Sequence, residues 1–156
     1  MKAFTFRLET LLHLREMAKD KAIAEYGVAI RHREESEQLL DQGHRALDDL
    51  KQEIGVRRTV GFSGSEQEPY NRSINHAKER IIDLNARVQE ARKVEDFKRN
   101  QFLETDSSYK SLLRLKEKQR EEHLEHESKK EERELGDVIG ARFVFNKASS
   151  NQTIKL

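Results

Sequence analysis

The stretch GVRRTVGFSGSEQEPYNR, residues 55–72, separates two long segments that share the same apolar periodicity. It holds three of the seven glycines and the only proline of the 156-residue chain. Glycine and proline mark turns, and Pro69 suits the first turn of a helix because its missing N–H costs little there. Ser65 and Glu68 also have the spacing of a capping box, which would start that helix slightly earlier. The stretch predicts a loop at 55–72 between two helices.

Ahead of this loop, apolar or small side chains recur at steps of three and four residues. This heptad spacing predicts a long amphipathic helix over about 4–54. Alanine and polar residues occupy the middle of the series, so little apolar area is buried there and we expect that part to be only marginally stable. The series is Phe4, Leu8, Leu11, Arg15, Ala18, Ala22, Tyr26, Ala29, Arg33, Ser36, Leu40, Gly43, Leu47, Leu50 and Ile54.

A second series with the same steps follows the loop and predicts a helix over about 73–143, with a polar tail at 146–156. Its members are Ile74, Ala77, Ile81, Leu84, Val88, Ala91, Glu95, Lys98, Phe102, Thr105, Tyr109 and Leu112. Two long helices joined by a loop predict an all-α fold. We expect residues 1–156 to form a single long antiparallel two-helix coiled-coil hairpin, in which the second helix is longer than the first.

The unequal lengths predict an overhang. If the two helices meet at the loop, the start of the first lies opposite about 119–123, and the second continues about 30 Å further at 1.5 Å per residue. Thirteen of the eighteen residues 117–134 are Asp, Glu, Lys or Arg. We therefore expect this stretch to be an unpaired helix, supported by ion pairs between neighbouring turns such as Glu125–Lys129.

Apolar side chains return beyond this charged stretch. Exposed apolar residues at the end of a polar helix indicate a partner protein. The alternative is that they fold back on Phe4, Phe6 and Leu8. The residues concerned are Leu135, Val138, Ile139, Phe143, Val144 and Phe145.

The composition limits the classes of function. Charged residues make up 38% of the chain and apolar residues 35%, which is typical of long helices and not of a compact globule. The 30 basic residues face 29 acidic ones, and this balance argues against nucleic-acid binding. The absence of cysteine excludes disulfides and thiol catalysis and fits the cytoplasm. No apolar run is long enough to predict a signal peptide or insertion into a membrane.

The sequence contains no pattern typical of an enzyme or a metal site. His123 and His126 lie at i, i+3, whereas a zincin motif needs i, i+4, so we interpret them as part of a solvated face. The residues Gly61–Gly64 lack the pattern of a nucleophile elbow, and no nucleotide-binding glycine loop is present. We expect a protein that is not an enzyme and that binds no cofactor and no metal.

Residues 4–16, FTFRLETLLHLRE, resemble the opening of the FliJ family of flagellar type III export proteins, F-x-F-R-L-x-x-L-L-x-L-R-E. The resemblance implies a two-helix antiparallel coiled coil, similar to the central stalk of rotary ATPases. It implies insertion into the ring of the export ATPase hexamer, and contacts with the cytoplasmic domain of the export-gate membrane protein and with export chaperones. Such a protein would be a cytoplasmic monomer when free and would act at the inner face of the cell membrane, at the flagellar base.

The resemblance also implies which residues meet which partner. The end carrying both chain termini would enter the ATPase, and the residues flanking the loop would face the gate. The expected ATPase-contacting residues are Phe4, Phe6, Arg7, Leu8, Leu11, Leu135, Val138, Ile139 and Phe143. The expected gate-side residues are Leu50, Ile54, Phe62, Tyr70 and Ile74.

Three other interpretations remain open at this point. The chain could be the equivalent stalk of a virulence injectisome, which differs little in sequence pattern. It could be a homodimeric coiled-coil scaffold that uses residues 55–72 as a flexible break, with twice the mass of the hairpin in solution. A nucleic-acid binder would show binding that falls steeply with salt.

Overall fold

The computed structural model describes residues 1–154, and this range contains two helices and no strand. Helix α1 is Glu9–Val60 and helix α2 is Gly64–Ile154. They contain 52 and 91 residues, so the second helix is the longer one, as expected. The prediction of an all-α, two-helix hairpin is confirmed.

The bounds of the elements differ from those predicted. Only residues 61–63 separate the helices, so the predicted loop at 55–72 is much too long. Gly61, at φ 90°, donates its N–H to the carbonyl of Arg57 at 2.9 Å and ends α1 with a left-handed C-cap. The carbonyl of Ser63 accepts the N–H of Glu66 at 3.0 Å, and α2 begins there.

Helix α2 continues through two positions at which the sequence predicted a boundary. Pro69 lies inside the helix and not in its first turn. The predicted polar tail, 146–156, is helical as far as Ile154. Its last two residues, Lys155 and Leu156, lie outside the described residues.

The chain forms two compact units, and each contains part of both helices. The first consists of residues 1–15 together with α2 from Ser108 onward. The second consists of residues 16–107 and includes the turn between the helices.

In the second unit, the heptad positions of the two helices pack against each other. From Ala22 to Ile54 and from Ile74 to Thr105, every position of the two predicted series is buried or half-buried. Val88 is the most enclosed, with 1% of its surface exposed. A Cβ on Gly43 would lie only 2.9 Å from Cδ1 of Leu84, so the helices approach closely at that glycine.

The middle of the second unit is held by small residues and by ion pairs. Ala22, Ala29 and Ala91 are buried between the helices, as the sequence predicted. Near them, three ion pairs join α1 to α2. In two of these pairs the carboxylate lies on α1: Glu37–Arg92 at 3.1 Å and Glu25–Lys98 at 3.2 Å. In the third, Arg33–Glu95 at 2.5 Å, the cation lies on α1.

The first unit is held by a segment that precedes α1. Residues 1–8, which we call the N-terminal segment, are not helical. Phe6 is buried with Leu12 and Leu112, and this cluster is flanked by partly buried residues. The flanking residues are Phe4, Tyr109 and Leu113.

The N-terminal segment runs in an extended form along α2. The ring of Phe4 lies against that of His123, and the ammonium group of Met1 lies 3.5 Å from Glu131. These contacts advance by eight residues of α2, or about 12 Å, and three residues, which reach at most about 11 Å, approach this distance only when extended. The prediction that α1 starts at Phe4 is therefore wrong.

The extended segment covers more of α2 than a helix would. Glu127 is buried, although we expected residues 117–134 to be unpaired, and Lys116 pairs with Glu9 at 2.8 Å. Coverage ends near Glu131, and every residue from 132 to 152 is exposed. We call residues 132–152 the overhang. The overhang exists, but it begins about ten residues later than predicted, because an extended residue spans about twice the helical rise.

Candidate partner-binding surface

The overhang is a continuous helix that no other described residue covers. Its apolar side chains are at least half exposed: Leu135 61%, Val138 50%, Ile139 59%, Phe143 67%, Val144 67% and Phe145 71%. The alternative that they fold back on the N-terminus is wrong, because Phe4 and Phe6 pack elsewhere in the unit. An apolar patch of this kind on a polar helix indicates a surface that binds a protein.

The helical period brings most of these side chains to one face. Four of them, Leu135, Val138, Ile139 and Phe145, are separated by successive steps of three, one and six residues, which a period of 3.6 places within about 120° of each other. Phe143 lies at the edge of this stripe and Val144 lies on the opposite side. A stripe wider than about 100° packs into a groove between elements, whereas a coiled-coil seam is narrower.

The other predicted ATPase-contacting residues lie in the same unit but have different environments. Phe6 is buried and Phe4 is half-buried, so both support the N-terminal segment. Arg7, Leu8 and Leu11 are exposed and remain available to a partner. The buried position that the heptad pattern assigned to Leu11 is taken by Leu12.

The predicted gate-side residues surround the turn in the second unit. Ile54 is buried, and Leu50, Phe62, Tyr70 and Ile74 are half-buried. Their rings contact each other: Phe62 and Tyr70 meet edge to face at 5.9 Å, and the guanidinium of Arg57 lies 5.7 Å from the centre of the Tyr70 ring. These residues stabilise the turn and leave part of their surface exposed beside it.

His123 has a structural role that the sequence interpretation missed. Its Nε2 lies 2.9 Å from the carbonyl oxygen of Lys2, and its ring centre lies 5.7 Å from that of Phe4. The interpretation as a solvated residue is therefore wrong for His123, while His126 is exposed. A signal was present in the sequence: Phe4 and Phe6 are two residues apart, which is the period of an extended chain.

Charged side chains in both units lower the pKa of particular carboxyl groups. The hydrogen bond from Arg92, with the charge of Arg33, lowers the pKa of Glu37 below its ordinary value. The hydrogen bond from Lys129 at 2.8 Å lowers the pKa of Glu125 in the same way and confirms the expected i, i+4 pair. These groups are ionised at neutral pH and act as electrostatic contacts.

In the part of the chain that the structure describes, no three His, Asp or Glu side chains come together as metal ligands would. Neither of the two described helices has an apolar stretch that could cross a lipid bilayer. The feature of this structure that suggests a function is the exposed overhang.

A two-helix antiparallel hairpin with one helix extending beyond its cover defines the class of this protein: a helical hairpin of the coiled-coil type with one exposed helix end. A sequence model of the family described as "Flagellar FliJ protein" matches residues 4–148. The chain belongs to the FliJ family, whose members are non-catalytic components of the flagellar type III export apparatus. Neither the curated proteins nor the solved structures gave a match to this chain.

The family assignment decides between two interpretations of the sequence. The family is a flagellar one and the match covers nearly the whole chain, so it favours the flagellar over the injectisome system.

The homodimeric scaffold needed residues 55–72 as a flexible break. In the structure all but residues 61–63 of that stretch are helical, and the heptad positions face each other within one chain.

Proposed function

We propose that this chain is a stalk that inserts into the ring of the flagellar export ATPase and links it to the export gate. The overhang carries the proposal, because it presents an apolar stripe that no other described residue covers. Each such side chain contributes about 1.5–3 kcal/mol when it is fully buried. Four of them would supply a substantial part of the binding free energy of a complex.

The charged faces of the helices suit reversible contact with several ATPase subunits. Exposed ion pairs contribute about 0–1 kcal/mol each, so many of them hold a partner without fixing it in one position. In this proposal the stalk promotes assembly of the hexamer and transmits its hydrolysis state to the gate. It raises the turnover of the ATPase and has no turnover of its own.

The second set of contacts lies around the turn of the second unit. The exposed parts of Phe62, Tyr70 and Ile74 form a small apolar surface next to Arg57. We assign this surface to the cytoplasmic domain of the export-gate protein. Export chaperones are the third class of partner, and the chain acts in the cytoplasm at the inner face of the membrane.

Phosphate release by the purified export ATPase, measured with and without this chain, tests the proposal. The wild-type chain is expected to raise the rate and to co-elute with the ATPase. Ile139→Asp places a charge in the apolar stripe and is expected to abolish both effects. Ile82→Asp is the matched control, because Ile82 is 71% exposed and lies in the other unit.

Two results would contradict the proposal. One is a wild-type chain that neither changes the rate nor co-elutes with the ATPase. The other is equal loss of binding in the Ile139 and Ile82 variants, since this would show that the overhang has no special role.

A further inference from the structure

A single charged residue lies in the centre of the apolar stripe. Counted from Arg142, Leu135 is seven residues earlier, Val138 four earlier, Ile139 three earlier and Phe145 three later. At 3.6 residues per turn these four side chains flank the arginine on both sides. A partner that covers the stripe must therefore also cover Arg142.

Arg142 has no acidic neighbour on its own helix. The side chains within reach of it, three or four residues away, are Val138, Ile139, Phe145 and Asn146. Asp137 is the nearest carboxylate in sequence and projects from the other side of the helix, since five residues turn it by about 140°. Among the described residues, the guanidinium makes no ion pair or hydrogen bond.

Burial of an unpaired guanidinium is unfavourable, because the charge loses its hydration and gains nothing in return. A partner surface that was apolar throughout would have to accept this cost. A surface with one carboxylate opposite Arg142 would avoid it, because a guanidinium binds a carboxylate through two parallel hydrogen bonds. The charge thus specifies the partner more narrowly than the apolar side chains do.

We infer that the overhang binds an apolar groove of the export ATPase in which one Asp or Glu side chain pairs with Arg142. The inference rests on the proposed function for the identity of the partner. It adds the chemistry of the binding site, namely four apolar contacts around one buried ion pair.

A second copy of this chain fits the stripe less well. In a parallel pair each residue faces its own copy, so the two Arg142 side chains would repel each other. An antiparallel pair that places Arg142 opposite Glu131 would extend over Glu127 and His123. That face of α2 is already covered by the N-terminal segment.

The test compares the effect on binding of substituting each of two overhang arginines, with both variants made in the full chain. Arg133 lies nine residues before Arg142, so it projects from the opposite face of the same exposed helix. Arg142→Glu is expected to weaken binding to the purified export ATPase about tenfold or more, whereas Arg133→Glu is expected to change it by less than about twofold. Fluorescence anisotropy of the labelled chain measures both dissociation constants.

Two further variants distinguish an ion pair from general repulsion. Arg142→Lys keeps the positive charge but cannot form the two parallel hydrogen bonds of a guanidinium with a carboxylate. Its affinity for the ATPase is therefore expected to lie between those of the wild type and Arg142→Glu. In a scan of single Asp and Glu residues of the ATPase changed to Lys, one variant is expected to restore the affinity of Arg142→Glu and to weaken that of the wild type. That residue is the partner carboxylate.

The possible failures can be told apart. If the wild-type chain binds the ATPase and Ile139→Asp does not, but Arg142→Glu binds normally, the ion pair is wrong and the proposed function stands. If the wild-type chain does not bind at all, the proposed function is wrong and the inference falls with it. If light scattering shows a dimer that Arg142→Glu abolishes, a second copy occupies the stripe and the inference is overturned.

Discussion

Phe4 and His123 lie with their ring centres 5.7 Å apart, although 118 residues lie between them in the chain. The contact joins the non-helical N-terminal segment to a highly charged part of α2. This part of α2 is not fully exposed to solvent, because the N-terminal segment packs against it in place of a second helix. The part of α2 that no other described residue covers begins where this cover ends.

The first prediction concerns the anchor of the N-terminal segment. Phe6→Ala removes a buried ring from a cluster with Leu12 and Leu112, a change that costs about 3–5 kcal/mol in protein cores. A segment held by so few contacts is expected to detach from α2. In NMR spectra, the imidazole signals of His123 should then move to positions typical of exposed His126.

Phe143→Ala is the control for this variant, because Phe143 is 67% exposed in the overhang. It is expected to leave both histidines unchanged. Unaltered His123 signals in Phe6→Ala would show that the segment is held by something other than this cluster.

The second prediction concerns the close approach at Gly43. Gly27→Ala, at a helical site with open space around it, is expected to stabilise the protein by about 1 kcal/mol through helix propensity. Gly43→Ala pushes a methyl group to 2.9 Å from Leu84 and is expected to be less stable than Gly27→Ala by about 1–3 kcal/mol. Urea unfolding of the two variants measures the difference, and equal stabilities would mean that Leu84 moves aside without cost.

The third prediction concerns the dependence of stability on pH. Arg92 and Arg33 lower the pKa of Glu37, so its carboxylate stabilises the folded state above the ordinary pKa of 4.5. This contribution is lost as the pH falls through the lowered value, because the folded state then has to take up the proton. Glu37→Gln is expected to lower the melting temperature at pH 7 and to have progressively less effect below pH 4.5.

Glu35→Gln, two residues away on an exposed side of α1, provides the comparison and is expected to change the melting temperature little at any pH. Added salt should reduce the effect at Glu37, which is partly solvated. An effect of Glu37→Gln that persists undiminished in acid would contradict the electrostatic explanation.

The fourth prediction concerns local stability along α2. Residues 132–152 have no tertiary packing, and isolated helices of this length are marginal in water. Their amides are expected to exchange rapidly in the free protein, whereas those around Val88 and Leu112 exchange slowly. Hydrogen exchange read by mass spectrometry gives the profile, and the boundary should fall near Glu131. Slow exchange throughout 132–152 would contradict this expectation.

The sequence predicted α2 better than α1. All twelve positions of the second series are buried or half-buried, because each is part of a helix that follows one heptad register. In the first series the register holds from Ala22 onward and fails at Leu8, which precedes α1, and at Leu11 and Ala18. The heptad pattern was extended into residues that are not helical, and the N-terminal segment changes which side chains are covered.

The turn was misjudged for a different reason. Gly55 and Gly64 were interpreted as loop residues and Pro69 as the first turn of the second helix, yet all three lie inside helices, Pro69 beyond the first turn. Composition shows that a helix is weak at such positions, but packing of the neighbouring heptad residues decides whether it ends. The overhang itself was predictable, since the predicted second helix, about 73–143, is longer than the predicted first helix, about 4–54. The apolar pattern that predicts the stripe does not mark its charged member, Arg142, because that pattern counts apolar side chains only.

The connection of only three residues, 61–63, limits how the two helices can move. The three residues cross four Cα–Cα steps between the helix ends, or about 13–14 Å when extended, against about 8–10 Å between the axes of packed helices. The connection is therefore short, and one helix cannot slide by three turns, about 16 Å, along the other without unwinding its end. Near the turn, a large axial displacement of one helix must be followed by its neighbour.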